Sequence, residues 1–210
     1  MLTIAVFGSG RGSNFHAILS AMQQGTIPGA RIALVVSNNS AAGILDVARA
    51  GGIPAVHCSR PQFPTDESYA AHLLHLLHGH GVDLIALAGY MKRVPPPVVA
   101  AFRNRIVNIH PALLPGFGGP GMYGMHVHEA VIAAGATRSG ASVHVVDEEY
   151  DRGPVLLQRE VPVDPGETPA TLAAKVLRVE HELYPEVIRR IAGGSLKLPA
   201  ERGEPVTDRG

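Results

Sequence analysis

Cysteine is nearly missing from this chain: Cys58 is the only one in 210 residues. One thiol excludes an internal disulfide framework and a thiolate-rich zinc site. Tryptophan is absent and aromatic residues make up only 5 %. No apolar run reaches the roughly 18 residues that a membrane-spanning helix needs. Neither sign of charge is in excess, since 18 Lys and Arg balance 18 Asp and Glu. That balance excludes a chain-wide electrostatic grip on nucleic acid or on an anionic membrane, so an anionic ligand must be held locally. The apolar start, Met1 to Phe7, has no basic stretch before it and reads as a strand rather than a signal peptide. A reducing, cytoplasmic setting is the expectation from these lacks.

What is present is an ordinary globular interior. Hydrophobic residues make up 46 % of the chain, a length and composition that bury roughly 70 % of the unfolded surface. The 24 glycines and 17 prolines divide it into many short elements. No internal repeat and no linker separates two halves. The expectation is one domain over residues 1–193, followed by a frayed tail of small and polar residues, 194–210.

Short β-branched runs alternate with helical patterns through the first half. Leu2–Phe7, Arg31–Val36, Ile53–His57, Val82–Ala88 and Arg105–Ile109 read as strands. Ser13–Gln24, Ala41–Ala50, Thr65–His80 and Pro96–Phe102 read as helices between them. Strands alternating with helices of this length predict βαβ units and an α/β fold, Rossmann-like and doubly wound, with a mostly parallel sheet. The second half differs. Residues 116–124 hold five glycines in nine and predict a mobile loop. A helix is expected over Val127–Ala134. Ala141–Val146 and Val155–Val163 read as strands joined by an acidic turn, forming an antiparallel C-terminal edge. A long C-terminal helix starts at Thr168 as cap with Pro169 in its first turn. Leu172, Val176, Val179, Leu183 and Val187 mark its buried face.

Two segments carry chemistry. Gly8-Ser9-Gly10-Arg11-Gly12-Ser13-Asn14 joins the first strand to the first helix. Its glycines let backbone approach a ligand, Ser13 and Asn14 are placed to cap the helix, and a helix start with free N–H groups binds anions. An ordinary tight turn is the competing reading. The loop has no Gly-Lys-Ser/Thr and no Gly-x-Gly-x-x-Gly, and the second strand ends in Ser37-Asn38-Asn39 without a ribose-binding carboxylate. A small phosphate ester suits it better than a nicotinamide cofactor.

The second segment is Asn108-Ile109-His110-Pro111. On a strand, residues two apart share a face, here at the carboxyl end where open α/β sheets bind ligands. Asn108 can donate to an oxygen gaining negative charge and His110 can move a proton. The acidic turn Asp147–Pro154 is a solvated hairpin tip on the plain reading. Alternatively Asp151 reaches His110, orients it and favours its protonated form. His72, His75, His78 and His80 read as a solvated helix face, His126 and His128 as possible cleft residues, and Cys58 as packing. No metal site is expected.

With these segments identified, the chain resembles the phosphoribosylglycinamide formyltransferases, folate-dependent enzymes of purine synthesis. The resemblance rests on Gly8–Asn14, Leu87–Met91, Asn108–Pro115, Ser142-Val143-His144, Asp151–Gln158 and Glu180–Pro185, in family order over about residues 2–193. It implies a chain that moves the formyl group of 10-formyltetrahydrofolate, its co-substrate, to the amine of glycinamide ribonucleotide. It further implies Asn108, His110 and Asp151 as catalytic residues. By the same resemblance Gly12, Ser13 and Asn14 hold the phosphate and Glu180 meets the amine end. Met91, Lys92, Arg93, Val94, His144, Asp147, Glu148, Glu149 and Tyr150 lie on the folate side. Small molecules are then the only partners expected, with a monomer and a homodimer both open. Pro115 is expected to be cis and 116–124 to act as a lid. Three departures stand out: Asp66 where a basic residue is common, Leu177 where Gln is common, and a Gly-rich stretch 116–124 longer than in compact members. The rival readings are formyl-folate hydrolysis, which usually comes with a further N-terminal domain; formylation of methionyl-tRNA, by longer chains; and a silent folate or phosphate binder, which would need no Asn108, His110 and Asp151.

Overall fold

The structure, a computed structural model, describes residues 1–199. Seven strands form one sheet: β1 (Leu2–Phe7), β2 (Ala30–Ser37), β3 (Ala55–His57), β4 (Leu84–Leu87), β5 (Ile106–His110), β6 (Arg138–Val145) and β7 (Val155–Pro162). Their order is β3-β2-β1-β4-β5-β6-β7. The first five run parallel, while β6 and β7 pair antiparallel. The helices are α1 (Ser13–Gln23), α2 (Gly43–Ala50), α3 (Asp66–Gly79), α4 (Pro96–Ala101), α5 (Met125–Ala133) and α6 (Pro169–Ala192). The expected fold class and every expected element are present, with ends within three residues of those expected.

Helices cover both faces, which is why the parallel strands are mostly apolar. Ile4 and Val6 face one cluster with Phe15, Ile18, Ile44, Leu45, Leu183 and Val187. Ala5 and Phe7, the alternate residues of the same strand, face the other with Leu73, Leu77, Val98 and Phe102. The sheet order reverses direction at β1, whose neighbours are β2 on one side and β4 on the other. A crevice opens at such a switch point because consecutive loops diverge.

Helix α6 begins as expected, with Thr168 accepting from Thr171 N–H. Its face differs at one place: Val179 is only half-buried, while Glu180 is buried beside Tyr184. The Tyr184 hydroxyl donates toward the carbonyls of Leu87 and Val107, at 3.0 and 3.1 Å. This seats α6 across the ends of β4 and β5. The tail differs from expectation at its start, since Leu196 and Leu198 pack against the core. Its residues 200–210 lie outside the described residues. The Leu114–Pro115 bond is cis, as expected.

Candidate active site

The loop after β1 is shaped by backbone. Gly12 has φ +80, and a Cβ there would meet Ile44 Cβ at 2.8 Å. A side chain would therefore be strained and obstructed at once. Gly12 itself stands at the N-cap of α1, with no side-chain hydrogen bond to close the helix end. This corrects the expectation that Ser13 and Asn14 cap the helix. They occupy its first turn, and Asn14 turns inward to donate to Glu180 Oε2 at 2.6 Å. Asn14 and Glu180 are both buried. Burial pushes the Glu180 carboxyl up to about 7, with the Asn14 hydrogen bond pulling the other way. The Oδ1 of Asn14 is buried with no partner among the described residues, as expected of a group kept for a ligand.

The side-chain cluster lies on the antiparallel half of the sheet. Asn108 on β5 stands directly opposite His144 on β6, a position where cross-strand side chains touch. Asn108 Nδ2 is 3.1 Å from His144 Nε2, and His144 Nδ1 is 3.0 Å from the carbonyl of Val145. The His144 ring gives its hydrogen to Val145 and accepts one from Asn108, whose second amide hydrogen stays available. His110 Nε2 donates to the carbonyl of Phe117 at 2.8 Å. Its Nδ1 therefore faces Asp151 Oδ2, at 3.7 Å.

Asp151 is held from several sides. It has φ +56, a conformation that Asp tolerates better than most residues. Gly119 N–H donates to its Oδ2 at 2.9 Å, and His144 Nε2 lies 3.4 Å from its Oδ1. Gly153 allows this turn to close, because a Cβ there would come within 1.9 Å of the Val145 carbonyl. Asp151 thus sits nearer His144 than His110, and its distance from His110 leaves that pair without a direct hydrogen bond.

Burial controls the ionisation of this cluster. It moves the Asp151 carboxyl upward, but the adjacent His144 imidazole, the hydrogen bond from Gly119 N–H and the nearby His110 outweigh it and hold Asp151 below its ordinary value. His110 goes the other way from the expectation. Burial lowers its pKa, and the opposing pull of Asp151 and the Phe117 carbonyl does not compensate. The imidazole therefore rests neutral near pH 7 rather than protonated.

These groups line one cavity of about 660 Å³, which also takes in Arg11, Asn14, Leu177 and Glu180 at one end and Met91–Val94 with Asp147–Tyr150 at the other. Arg93 lines it but is already engaged: it donates to the Glu148 carbonyl at 2.6 Å and lies over the Tyr150 ring. Lys92, Arg93 and Val94 also border a second cavity of about 730 Å³ with Arg60 and Asp66. Arg60 pairs with Asp66, so the acidic departure is neutralised within the chain. Leu177 puts an apolar wall on the main cavity where the family pattern has an amide.

Sequence reasoning placed the histidines unevenly. His128 lines the cavity, buried, with Nδ1 unpartnered among the described residues. His126 instead packs on Tyr123. His75 and His78 are exposed on the helix face as expected, with His78 stacked on Phe102, while His72 is half-buried with its ring 5.0 Å from Phe63. Cys58 is buried, and burial pushes its thiol up to about 11, as packing requires. Two features were missed. One is the role of the Phe117 carbonyl, for which composition offers no signal. The other is the latch of Ser142, whose hydroxyl donates to Ala112 and accepts from Leu114 N–H and Gln158. The Ser142-Val143-His144 motif was its visible trace.

Comparison with known proteins identifies the family. The formyl transferase family model matches residues 2–188. An Arabidopsis thaliana protein named phosphoribosylglycinamide formyltransferase, chloroplastic, is 45 % identical over 195 residues, covering 92 % of this chain and 66 % of its own length. The chain thus spans just under two thirds of that relative. The Escherichia coli phosphoribosylglycinamide formyltransferase is 37 % identical over 197 residues, 94 % of this chain and 90 % of the relative. The crystal structure of glycinamide ribonucleotide transformylase 1 from Symbiobacterium toebii superposes with a TM-score of 0.87 at 40 % identity, covering 95 % and 91 % of the two chains. The resemblance read from the motifs is borne out, and the chain belongs to the formyl transferase family.

Proposed function

We propose that this chain transfers the formyl group of 10-formyltetrahydrofolate to the amine of glycinamide ribonucleotide, a step of purine biosynthesis. The observation that carries the reading is one continuous cavity with Arg11 and Asn14 of the loop and helix after β1 at one end and Asn108, His110, His144 and Asp151 on its wall. The names of the relatives support phosphoribosylglycinamide as the formyl acceptor. The match over residues 2–188 supports reading 1–193 as a single domain.

The residues have the following roles. The N–H groups of Gly12, Ser13 and Asn14 hold the phosphate at the start of α1. Glu180, ionised when the ligand is bound, meets the amine end and is the reason Asn14 is turned inward. Met91, Lys92, Arg93 and Val94, with Asp147, Glu148, Glu149 and Tyr150, border the folate. The amine nitrogen attacks the formyl carbon and a C–N bond forms. Asn108 donates its free amide hydrogen to the formyl oxygen as negative charge develops there. His144 keeps that amide turned to the site, a positioning role rather than the folate contact implied by resemblance. His110, neutral at the start, accepts the proton released by the attacking nitrogen. It returns a proton to the leaving folate nitrogen as the second C–N bond breaks. Asp151 stays ionised and stabilises the imidazolium in between. The gap of 3.7 Å between them suits a bridging water or a small adjustment on binding.

The test is release of tetrahydrofolate from 10-formyltetrahydrofolate with and without glycinamide ribonucleotide. Release that requires the ribonucleotide is the expected result. Release without it makes the chain a hydrolase, and no release in either case makes it a binder.

A further inference from the structure

Ser9 belongs by sequence to the loop that forms the anion cradle, yet none of its polar groups serves the cradle. Its N–H donates to the Gly89 carbonyl at 3.0 Å. Its hydroxyl oxygen accepts from Met91 N–H at 2.8 Å, while the hydroxyl hydrogen goes to Asn38 Oδ1. Its carbonyl receives Asn39 Nδ2 at 3.4 Å. Gly89 and Met91 open the segment after β4 that leads into Lys92, Arg93 and Val94, and Met91 lines the main cavity. Asn38 lies at the end of β2 and borders the second cavity.

Two features make this more than loop packing. The hydroxyl uses its hydrogen and a lone pair on opposite neighbours, so the Asn38 acceptor fixes the direction in which the lone pair meets Met91. Between Gly89 and Met91 the segment is anchored by its side chain, since the Tyr90 ring meets Phe7 edge-on and its hydroxyl pairs with Tyr69. Gly89 takes the left-handed φ of +73, and the Met91 side chain is exposed. The hydrogen bonds to Ser9 fix the backbone on either side of Tyr90 at the switch point between β1 and β4.

We propose that Ser9 is a positioning residue for the formyl-donor side of the site. A substitution in the phosphate loop would then weaken binding of the other substrate. This deepens the function proposed above and rests on its assignment of Met91–Val94 to the folate.

The experiment is calorimetric titration of the chain with tetrahydrofolate and, separately, with glycinamide ribonucleotide, for wild type, Ser9→Ala, Ser9→Thr and Asn38→Ala. Loss of one partly buried hydrogen bond predicts a rise of about 3- to 10-fold in the tetrahydrofolate Kd of Ser9→Ala. The ribonucleotide Kd should stay within about twofold. Ser9→Thr keeps the hydroxyl and should recover most of the loss. Asn38→Ala, which leaves residue 9 intact, should move the tetrahydrofolate Kd the same way by a smaller factor. An equal or larger rise in the ribonucleotide Kd for Ser9→Ala overturns the inference, as does an unchanged tetrahydrofolate Kd. If Ser9→Ala does not fold, Asn38→Ala decides by the same two ratios. Wild type that fails to bind tetrahydrofolate at all overturns the underlying function, and this inference with it.

Discussion

The two ends of the cavity are built from different materials. The parallel half of the sheet contributes backbone: a loop of glycines and a helix start with no side-chain cap. The antiparallel half contributes side chains, with Asn108 and His144 facing each other across two strands and Asp151 folded back over them. The difference follows from the tasks. A phosphate keeps its charge throughout and needs fixed dipoles, which a helix start provides without titrating. A carbonyl gains and loses charge during reaction, so its partners must move protons, and their pKa values must be set by burial and by neighbours. Backbone sites are accordingly sensitive to added Cβ atoms, and side-chain sites to removed functional groups.

Substitutions should separate the two ends. The largest effect is expected for His110→Ala, which removes the proton carrier. Turnover should fall by about 10²–10⁴ with tetrahydrofolate still bound, as steady-state kinetics beside calorimetry will show. Turnover close to wild type would take His110 out of the chemistry. Next comes Gly12→Val, with φ +80 and Ile44 in the way. Strain of this kind costs about 1–3 kcal/mol, so ribonucleotide affinity should fall by roughly 10- to 100-fold. The comparison of KM values for the two substrates is decisive: an equal loss for the folate would erase the distinction between the ends.

A third test concerns ionisation. Glu180 titrates at about 7, above the ordinary carboxyl value, so it becomes protonated as pH falls through 7 while an amine ligand needs its carboxylate. The KM for the ribonucleotide should rise by about tenfold from pH 8 to pH 6 if the charged form alone binds. Glu180→Gln should flatten that limb. His110 moves in the opposite direction, below its ordinary 6.5, so any remaining acid limb in kcat should fall lower still. A single limb unchanged by Glu180→Gln would detach Glu180 from the amine. The smallest effect is expected for Arg103→Ala. Arg103 meets Glu148 at 2.7 Å on the acidic turn, but both side chains are more than half exposed. Such pairs contribute at most about 1 kcal/mol. The folate KM should rise no more than about fivefold, and a larger change would show that the turn bearing Asp151 depends on its outer clamp.

Much of this arrangement was legible before any coordinates. The strand and helix order follows from period and punctuation because both are local: β-branched runs of four to eight residues and helix starts such as Thr168-Pro169 carry their own signals. Asn108 and His110 could be paired because a strand repeats every two residues. Helix ends and partners were harder. The cap at Gly12 was assigned to Ser13 and Asn14 because they are the usual capping residues, and nothing nearby in sequence shows Glu180 waiting 166 positions away. The register that sets His144 opposite Asn108 is equally invisible in the order of residues. The protonation of His110 was judged from one neighbouring carboxylate, whereas burial, a property of the whole fold, is the larger influence.

By itself, then, the amino-acid order determined the α/β class, the glycine loop, the chemistry-bearing residue types and the family they resemble, because each is written in short spacings. Tertiary structure alone decided which groups touch, which nitrogen of each histidine carries hydrogen, and which acids and bases are shifted. Those depend on distances between residues far apart in the chain and on water excluded by everything packed around them.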